Sequence, residues 1–565
     1  MPHGRDRRSR VADLLPGLGE IRRYERGWLR ADIVGGLTVG AMLVPQSMAY
    51  AELAGLAPEY GFYAVMGALV VYALVGTSRH LGVGPEPGTA ILAATGVGAI
   101  AAGDSARYVA LMAGLALVVA AICVVAAAAR LGFIASVLSK PILVGYITGV
   151  GLTLLSSQIA GFTGVPIEAE RLFPRFRELA GSLDQVHLGT TAVGAATLAL
   201  ILVLRRSAPT APGALIGVVA ATVVVAVFGL DGHGIALVGD IPTGLPVPGL
   251  PDVSVGDVGR LLPVAAGIAL VGYSDNVLTA RSVAARHGYR IDANQELLAL
   301  GLTNLTAGLS QGFPVSSSAS RTAVPASLGT RTQLVSLVAS ASVVATVLVL
   351  APALGRIPRA ALAAVIVSAA IAILDVPGYR ALWRVGREEA VLAAVAALGV
   401  VVFDVLVGVL VAVSLSIVVA FYRIARPHDA VLGDYPGLDG WVGVDRYPEA
   451  VTERGLVVYR FDAPLFFVNA DRFRSRVELA LDESPGEEEW LVLDFEGIGA
   501  LDATALDTLA DLVDDVDVDV VAVARANDAV LDRLARAGLV EPAGRVRVFP
   551  TINGAVRAYR QRRGV

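Results

Sequence analysis

The sequence predicts a polytopic α-helical membrane protein, with fourteen transmembrane segments in a seven-plus-seven inverted repeat and a small α/β domain at the C-terminal end. Three observations predict it. Of 565 residues, 55% are hydrophobic and only 17% charged, where soluble domains carry about 25% charged residues. Apolar segments recur from about residue 31 to 425, after which strands alternate with helices. Two apolar segments are short, lie seven segments apart, and each follow a Gly/Pro break, Gly84-Pro-Glu-Pro-Gly88 and Gly312-Phe-Pro314. Interrupted segments at matching positions of two halves point to a transporter's binding site.

Residues 1–30 hold eight arginines and no long apolar run. They read as a cytoplasmic tail rather than a signal peptide, with Trp28 as an interface anchor. The transmembrane domain is read as 31–425. Its segments lie near 31–50, 61–76, 87–102, 107–129, 137–159, 188–205, 212–230, 259–283, 294–310, 316–327, 332–351, 357–374, 388–401 and 403–424. Several are shorter than the ~20 residues that span a bilayer.

Arginines set the orientation. Arg79, Arg130, Arg205, Arg206, Arg286, Arg290, Arg331, Arg380, Arg384 and Arg387 all follow even-numbered segments, and the Asp231–Val258 connection after the seventh has no Arg or Lys. The positive-inside rule then puts both termini in the cytoplasm. Arg171, Arg175 and Arg177 follow segment five and read as an amphipathic external stretch.

Residues 426–440, rich in Gly, Pro and Asp, read as a linker, and 441–565 as the soluble domain. Strands are expected at Gly455–Phe461, Trp490–Phe495, Val518–Ala524 and Val546–Phe549. Helices are expected at Ala470–Leu481, Thr504–Val513, Asp528–Ala537 and Ile552–Gln561.

Several function classes are excluded. Lys140 is the only lysine and is preceded by Ser139, so there is no Walker A loop and no ATP-driven pump of that type. One cysteine, Cys123, allows no disulfide within the chain and no cysteine metal cluster. No HExxH pair or nucleophile–base pair supports an enzyme. The net charge of −5 reflects acids concentrated in the C-terminal fifth and gives no hint of nucleic-acid binding.

The run Gly312-Phe-Pro-Val-Ser-Ser-Ser-Ala-Ser-Arg321 carries the chemistry. Four serines and an arginine at bilayer depth are costly unless they line a cavity. The run reads as the start of a half-helix whose free N–H groups and positive dipole end face an anion. Helix capping alone also accounts for Ser316–Ser318. Asp275 lies in the otherwise apolar stretch Ala265–Val277. An intramembrane carboxylate is a functional residue by default, and desolvation makes it able to take up a proton; a structural pair with Arg321 or Arg281 is the competing reading. Glu86 allows three readings: a carrier of the coupling proton, a partner of Arg321, or a helix N-terminal acid outside the pocket. Asp292-Ala-Asn-Gln295 has capping-box spacing. Glu52 and Asp404, near helix ends, read as structural.

These residues resemble the SulP (sulfate permease) anion transporters, counterparts of animal solute carrier family 26. The resemblance rests on Leu43-Val-Pro-Gln-Ser-Met-Ala-Tyr50, Gly76-Thr-Ser-Arg-His-Leu81 and His287-Gly-Tyr-Arg-Ile-Asp-Ala-Asn-Gln-Glu-Leu297, on Ser320-Arg321 followed by Arg331-Thr-Gln333, and on Asp462-Ala-Pro-Leu-Phe-Phe-Val-Asn-Ala470. It runs from about Gly27 to the end. It implies a uracil-permease type of fold, a core of helices 1–4 and 8–11 against a gate of helices 5–7 and 12–14, homodimers, an elevator-like movement, and a C-terminal STAS domain.

Carried over by position, the resemblance implies an anion site of Gln46 and Tyr50, of Glu86, Gly88 and Thr89 at the start of helix three, and of Ser318, Ser320 and Arg321 on helix ten. Asp275 with Thr279 resembles the sodium-site pattern of bicarbonate transporters, so Na⁺ or H⁺ is expected as coupling ion and no other cofactor. In the STAS domain, Ala503 occupies the usual phospho-acceptor serine position within Leu501-Asp-Ala-Thr-Ala505, with Thr504 beside it.

The expected function is secondary active transport of a small inorganic oxyanion across the cell membrane, by H⁺ or Na⁺ symport. Sulfate comes first, then bicarbonate or dicarboxylates. An anion channel or uncoupled exchanger, and a regulatory membrane protein whose STAS domain recruits a partner, are the other classes.

Overall fold

Long runs of Ala, Val, Leu and Gly satisfy every backbone group internally only as helices, which is the form a chain must take in lipid. The computed structural model describes residues 15–133, 139–169, 171–403, 405–437, 440–484, 489–542 and 544–564. The chain divides after Ser416 into two units. Asp404 lies outside the described residues.

Fourteen helical spans are found among the described residues. Span 1 is Leu29–Leu53, span 2 Glu59–Val75, span 3 Pro87–Ala101, span 4 Ser105–Ala128, and span 5 Lys140–Ser157, continued by Ile159–Thr163. Span 6 is Leu188–Ser207 and span 7 Gly213–Val227. Span 8 is Val255–His287, span 9 Ala293–Leu309, span 10 Ala319–Ser327 and span 11 Leu334–Leu354. Span 12 is Arg359–Ile373, span 13 Arg387–Val402 and span 14 Val405–Ala425. Among the described residues, seven helices are long and apolar enough to cross a membrane on their own; the others, span 10 shortest at nine residues, work as parts of the bundle. The arginine-rich stretch after span 5 forms a helix, Leu172–Gly181.

The packing repeats between halves. Span 4 packs on span 9 as span 11 packs on span 2; span 1 packs on span 11 as span 8 packs on span 4; span 5 packs on span 13 as span 12 packs on span 6. Spans 1–4 and 8–11 thus form a core, and spans 5, 6, 7, 12 and 13 pack together as a gate, meeting the core where spans 1 and 3 touch spans 5, 7 and 12.

Two-residue strands precede the half-helices. β1 (Val83–Gly84) pairs antiparallel with β2 (Ser316–Ser317), so the segment expected as helix from residue 316 begins its helix only at Ala319. Pro314 and the strand pairing delay the helix by three residues. Glycine makes the crossing possible: a Cβ at Gly82 would stand 2.8 Å from the Arg321 Cβ.

The signature motifs anchor this crossing. Glu296, fully buried, accepts from Tyr72 Oη (2.8 Å), Thr77 N (2.8 Å), Thr77 Oγ1 (2.6 Å), Ser78 N (3.0 Å) and Asn276 Nδ2 (3.3 Å). Tyr289 Oη meets Ser78 Oγ and His80 Nδ1, each at 3.1 Å, and Gln333 Nε2 donates to Ser78 O. Buried Asp32 accepts from Arg331 N and Thr332 Oγ1. Buried polar groups in apolar surroundings need such partners, and these tie spans 1, 2, 8 and 9 to the loop before span 11. Asp292 caps span 9, accepting from Asn294 N and Gln295 N.

The second unit holds a six-stranded sheet in the order β4-β3-β5-β6-β7-β8. The strands are β3 Asp429–Asp434, β4 Trp441–Gly443, β5 Leu456–Phe461, β6 Trp490–Asp494, β7 Val520–Ala524 and β8 Val546–Phe549. β5 to β8 are parallel; β3 runs antiparallel to β5 and β4. Helices Ala470–Asp482, Ala503–Asp515, Asp528–Arg536 and Ile552–Arg563 cover it. Alternation along β5 feeds two cores, Val457, Tyr459 and Phe461 on one face and Leu456 and Val458 on the other. β3 falls inside the segment read as linker: its pairing with β4 and β5, not its composition, makes it a strand.

Candidate functional site

The two half-helices start within the core, and their first residues meet span 1 and span 8 there. Arg321, in the first turn of span 10, is 1% exposed. Its Nη1 donates to Gln46 Oε1 of span 1 at 3.2 Å, while Nε and Nη2 are buried without a partner among the described residues. A Cβ at Gly84 would lie 3.6 Å from Nη2, so the guanidinium sits beside the strand that leads into span 3. Among the described residues, no carboxylate comes within ion-pair distance of Arg321, although Glu86, Asp275 and Tyr50 lie within its electrostatic reach. Desolvation of an unpaired guanidinium costs several kcal/mol.

Glu86 is the N-cap of span 3, with its Oε2 accepting from Thr89 N at 2.9 Å. Of its three readings, the geometry shows Glu86 at the helix N-terminus, and the pair with Arg321 is not formed. On span 8, Asp275 Oδ2 accepts from Ser317 Oγ at 3.1 Å, and the carbonyl of Gly272, one turn earlier, accepts from Ser316 Oγ at 3.3 Å. Asp275 therefore pairs with a serine of the crossing, not with Arg321 or Arg281.

The first unit also has a cavity of about 900 Å³ where core meets gate, lined by Glu52, Ile91 and Thr95 of the core and by Thr153, Ser157 and Arg175 beside the gate. It reaches span 3 two residues beyond Thr89.

Residues 29–396 match the Sulfate permease family, and residues 447–555 match the STAS domain. The chain belongs to the sulfate permease family. It is a multi-pass membrane protein with a C-terminal STAS domain. It is 47% identical to a probable sulfate transporter of Mycobacterium tuberculosis, over 98% of this chain and 99% of that one. It is 32% identical to probable sulfate transporter 4.2 of Arabidopsis thaliana, over 95% of this chain and 82% of that one. Its fold is that of the murine solute carrier 26 family member A9 anion transporter in its inward-facing state, with a TM-score of 0.89 at 24% identity, over 99% of this chain and 96% of that one.

In this sulfate permease family member, the residues expected at the site are brought together unevenly. Gln46, Tyr50, Thr89 and Arg321 are buried around the crossing, with Glu86 and Gly88 half-buried at the start of span 3. Ser318 and Ser320 instead bond each other at 3.0 Å, with Ser320 exposed. The serines that meet span 8 are Ser316 and Ser317, the two residues of β2. Thr279 stands one turn beyond Asp275, half-buried. Asp275 and Thr279 make a sparse oxygen shell for a hard cation, which favours several oxygen ligands. The orphaned Asn276 Oδ1 belongs to a side chain tied to Glu296. Tyr146 of span 5 was not expected. Its hydroxyl is buried without a partner among the described residues and lies within electrostatic reach of Glu86. A single aromatic in an apolar run gives no signal in sequence.

Proposed function

We propose that this protein is a secondary active transporter of a small inorganic oxyanion, sulfate first, that couples uptake to a proton and shifts its core against its gate. One observation carries the reading: Arg321 is buried with two donor nitrogens unspent. Charge-assisted, bidentate recognition of an oxyanion is what such a fork does best. Relatives named as sulfate transporters support the choice of anion.

The coupling ion follows from charge. A dianion arriving beside one guanidinium and two carboxylates needs positive charge from elsewhere, and a proton requires only one acceptor oxygen. Asp275, bonded to the crossing through Ser317, is the carrier we assign for transport. The separate packing of core and gate, with a cavity between them, supports an elevator-type shift. We further assign a cell-membrane location with both termini cytoplasmic, a homodimeric assembly, and a regulatory partner for the STAS domain.

The test is uptake of radiolabelled sulfate into proteoliposomes holding only this protein, under imposed H⁺ or Na⁺ gradients, with bicarbonate and dicarboxylates as competitors. Accumulation driven by H⁺ is the expected result. Accumulation driven only by Na⁺ overturns the coupling, flux of a competitor without sulfate overturns the substrate, and no flux of any anion overturns transport.

A further inference from the structure

We propose that the Glu86 carboxylate is a tethered competitor for the transported anion: ionised, it occupies the N-terminal amides of span 3, and its protonation frees them for a substrate oxygen. The inference rests on the transport reading above and adds how that site admits or excludes its ligand.

A helix N-terminus is an anion site because its first N–H groups lack partners. Span 3 opens with Pro87, which has no N–H. Its free amides therefore begin at Gly88 and Thr89. Thr89 N donates to Glu86 Oε2 at 2.9 Å. The same carboxylate stands over Gly88, where an added Cβ would lie 3.0 Å and 3.4 Å from its two oxygens. The next donors also turn back: Ala90 N and Thr89 Oγ1 both bond the Glu86 carbonyl, each at 3.0 Å. Glu86 thus takes the donors that span 3 would offer to an anion.

The opposing half shows the complement. Beside the strand entering span 3, Arg321 keeps Nε and Nη2 buried and unpartnered, with Gly84 leaving room for Nη2. One half presents an unfilled cation fork, and the other a negative charge already seated on the amides. A serine or threonine at position 86 would cap the helix without charge. A carboxylate there repels any incoming oxyanion until it is neutralised or displaced.

The titratable groups facing Glu86 are Tyr50 of span 1, Tyr146 of span 5, Asp275 of span 8 and Arg321 of span 10. Both acids thus lie within reach of one guanidinium. When Glu86 gains a proton from solution, its hold on the amides weakens. An oxygen of the anion then takes them, and its remaining oxygens reach Arg321. One proton is bound at Glu86 for each anion admitted, in addition to the proton assigned to Asp275.

The test uses the full-length purified protein and labelled sulfate, with Kd measured from pH 5.5 to 8.5. Glu86→Gln is the first variant, because its amide oxygen still caps Thr89 without charge. Glu86→Asp, which keeps the charge on a shorter arm, is the second. In the wild type, Kd rises with pH above the titration of Glu86, by about tenfold per pH unit for each linked proton. The slope of log Kd against pH falls by about one in Glu86→Gln, and Glu86→Asp restores it. A wild-type slope retained in Glu86→Gln overturns the inference and leaves transport standing. No saturable sulfate binding in the wild type at any pH overturns the transport reading together with it.

Discussion

Each unit of this chain buries charge, and each deals with it differently. In the soluble unit, Asp494 has a fully buried side chain and carries two arginines: Arg460 Nε at 2.7 Å, and Arg525 through Nε at 2.9 Å and a closer Nη2 contact. Burial opposes its ionisation, yet hydrogen bonds from Arg525 and Arg460 hold its carboxyl below the usual range. In the membrane unit, Arg321 is equally buried and, among the described residues, has no acid within ion-pair distance. A satisfied buried charge specifies structure. An unsatisfied one marks the place where a ligand completes the set. The difference teaches where function lies in a chain that has many charges at helix ends.

The comparison can be broken at four points. Arg321→Met removes the open fork without adding a charge, and we predict sulfate flux lowered by at least ~100-fold, the scale of losing a preorganised anion donor, with helical content unchanged by circular dichroism. Asp275→Asn comes next: gradient-driven accumulation is abolished while sulfate–sulfate exchange persists, and full gradient-dependent uptake by that variant would refute its role.

Asp494→Asn leaves Arg460 and Arg525 facing a neutral group. It should lower the stability of the soluble unit by about 3 kcal/mol, read as lost amide-exchange protection over β6 in the full chain. The pH dependence has a definite sign. A carboxyl depressed in the folded state stabilises above its unfolded value, about 3.9, and loses that contribution as pH falls through the folded value. Protection of β6 should hold from pH 8 to 5 and decline only below about pH 4. Tyr146→Phe is the smallest change: removing one unpartnered hydroxyl should alter sulfate affinity about threefold, within the range of a single neutral hydrogen bond, and an unchanged Kd would remove Tyr146 from the site.

What could be read from the sequence follows the range of the signal. The fourteen apolar segments and the four core strands of the soluble unit were legible, because hydrophobic runs and alternation are local. So were the two breaks before spans 3 and 10, since Pro and Gly act on their own neighbours. The β1–β2 pairing was not, because two residues carry no periodicity. That pairing brings Ser316 and Ser317 against span 8, contacts that the sequence did not announce. β3 was hidden in a segment rich in Gly, Pro and Asp, since only its pairing with β4 and β5 makes it a strand. Glu86 left three readings open because Glu is not a favoured N-cap. Tyr146 reaches Glu86 only through the packing of gate on core.

The central claim is that the open guanidinium of Arg321 is the anion site. Equilibrium binding of labelled sulfate to purified wild type and Arg321→Met, side by side at pH 6, tests it most directly. The account predicts saturable binding in the wild type and none in the variant. Equal saturable binding in both would contradict it.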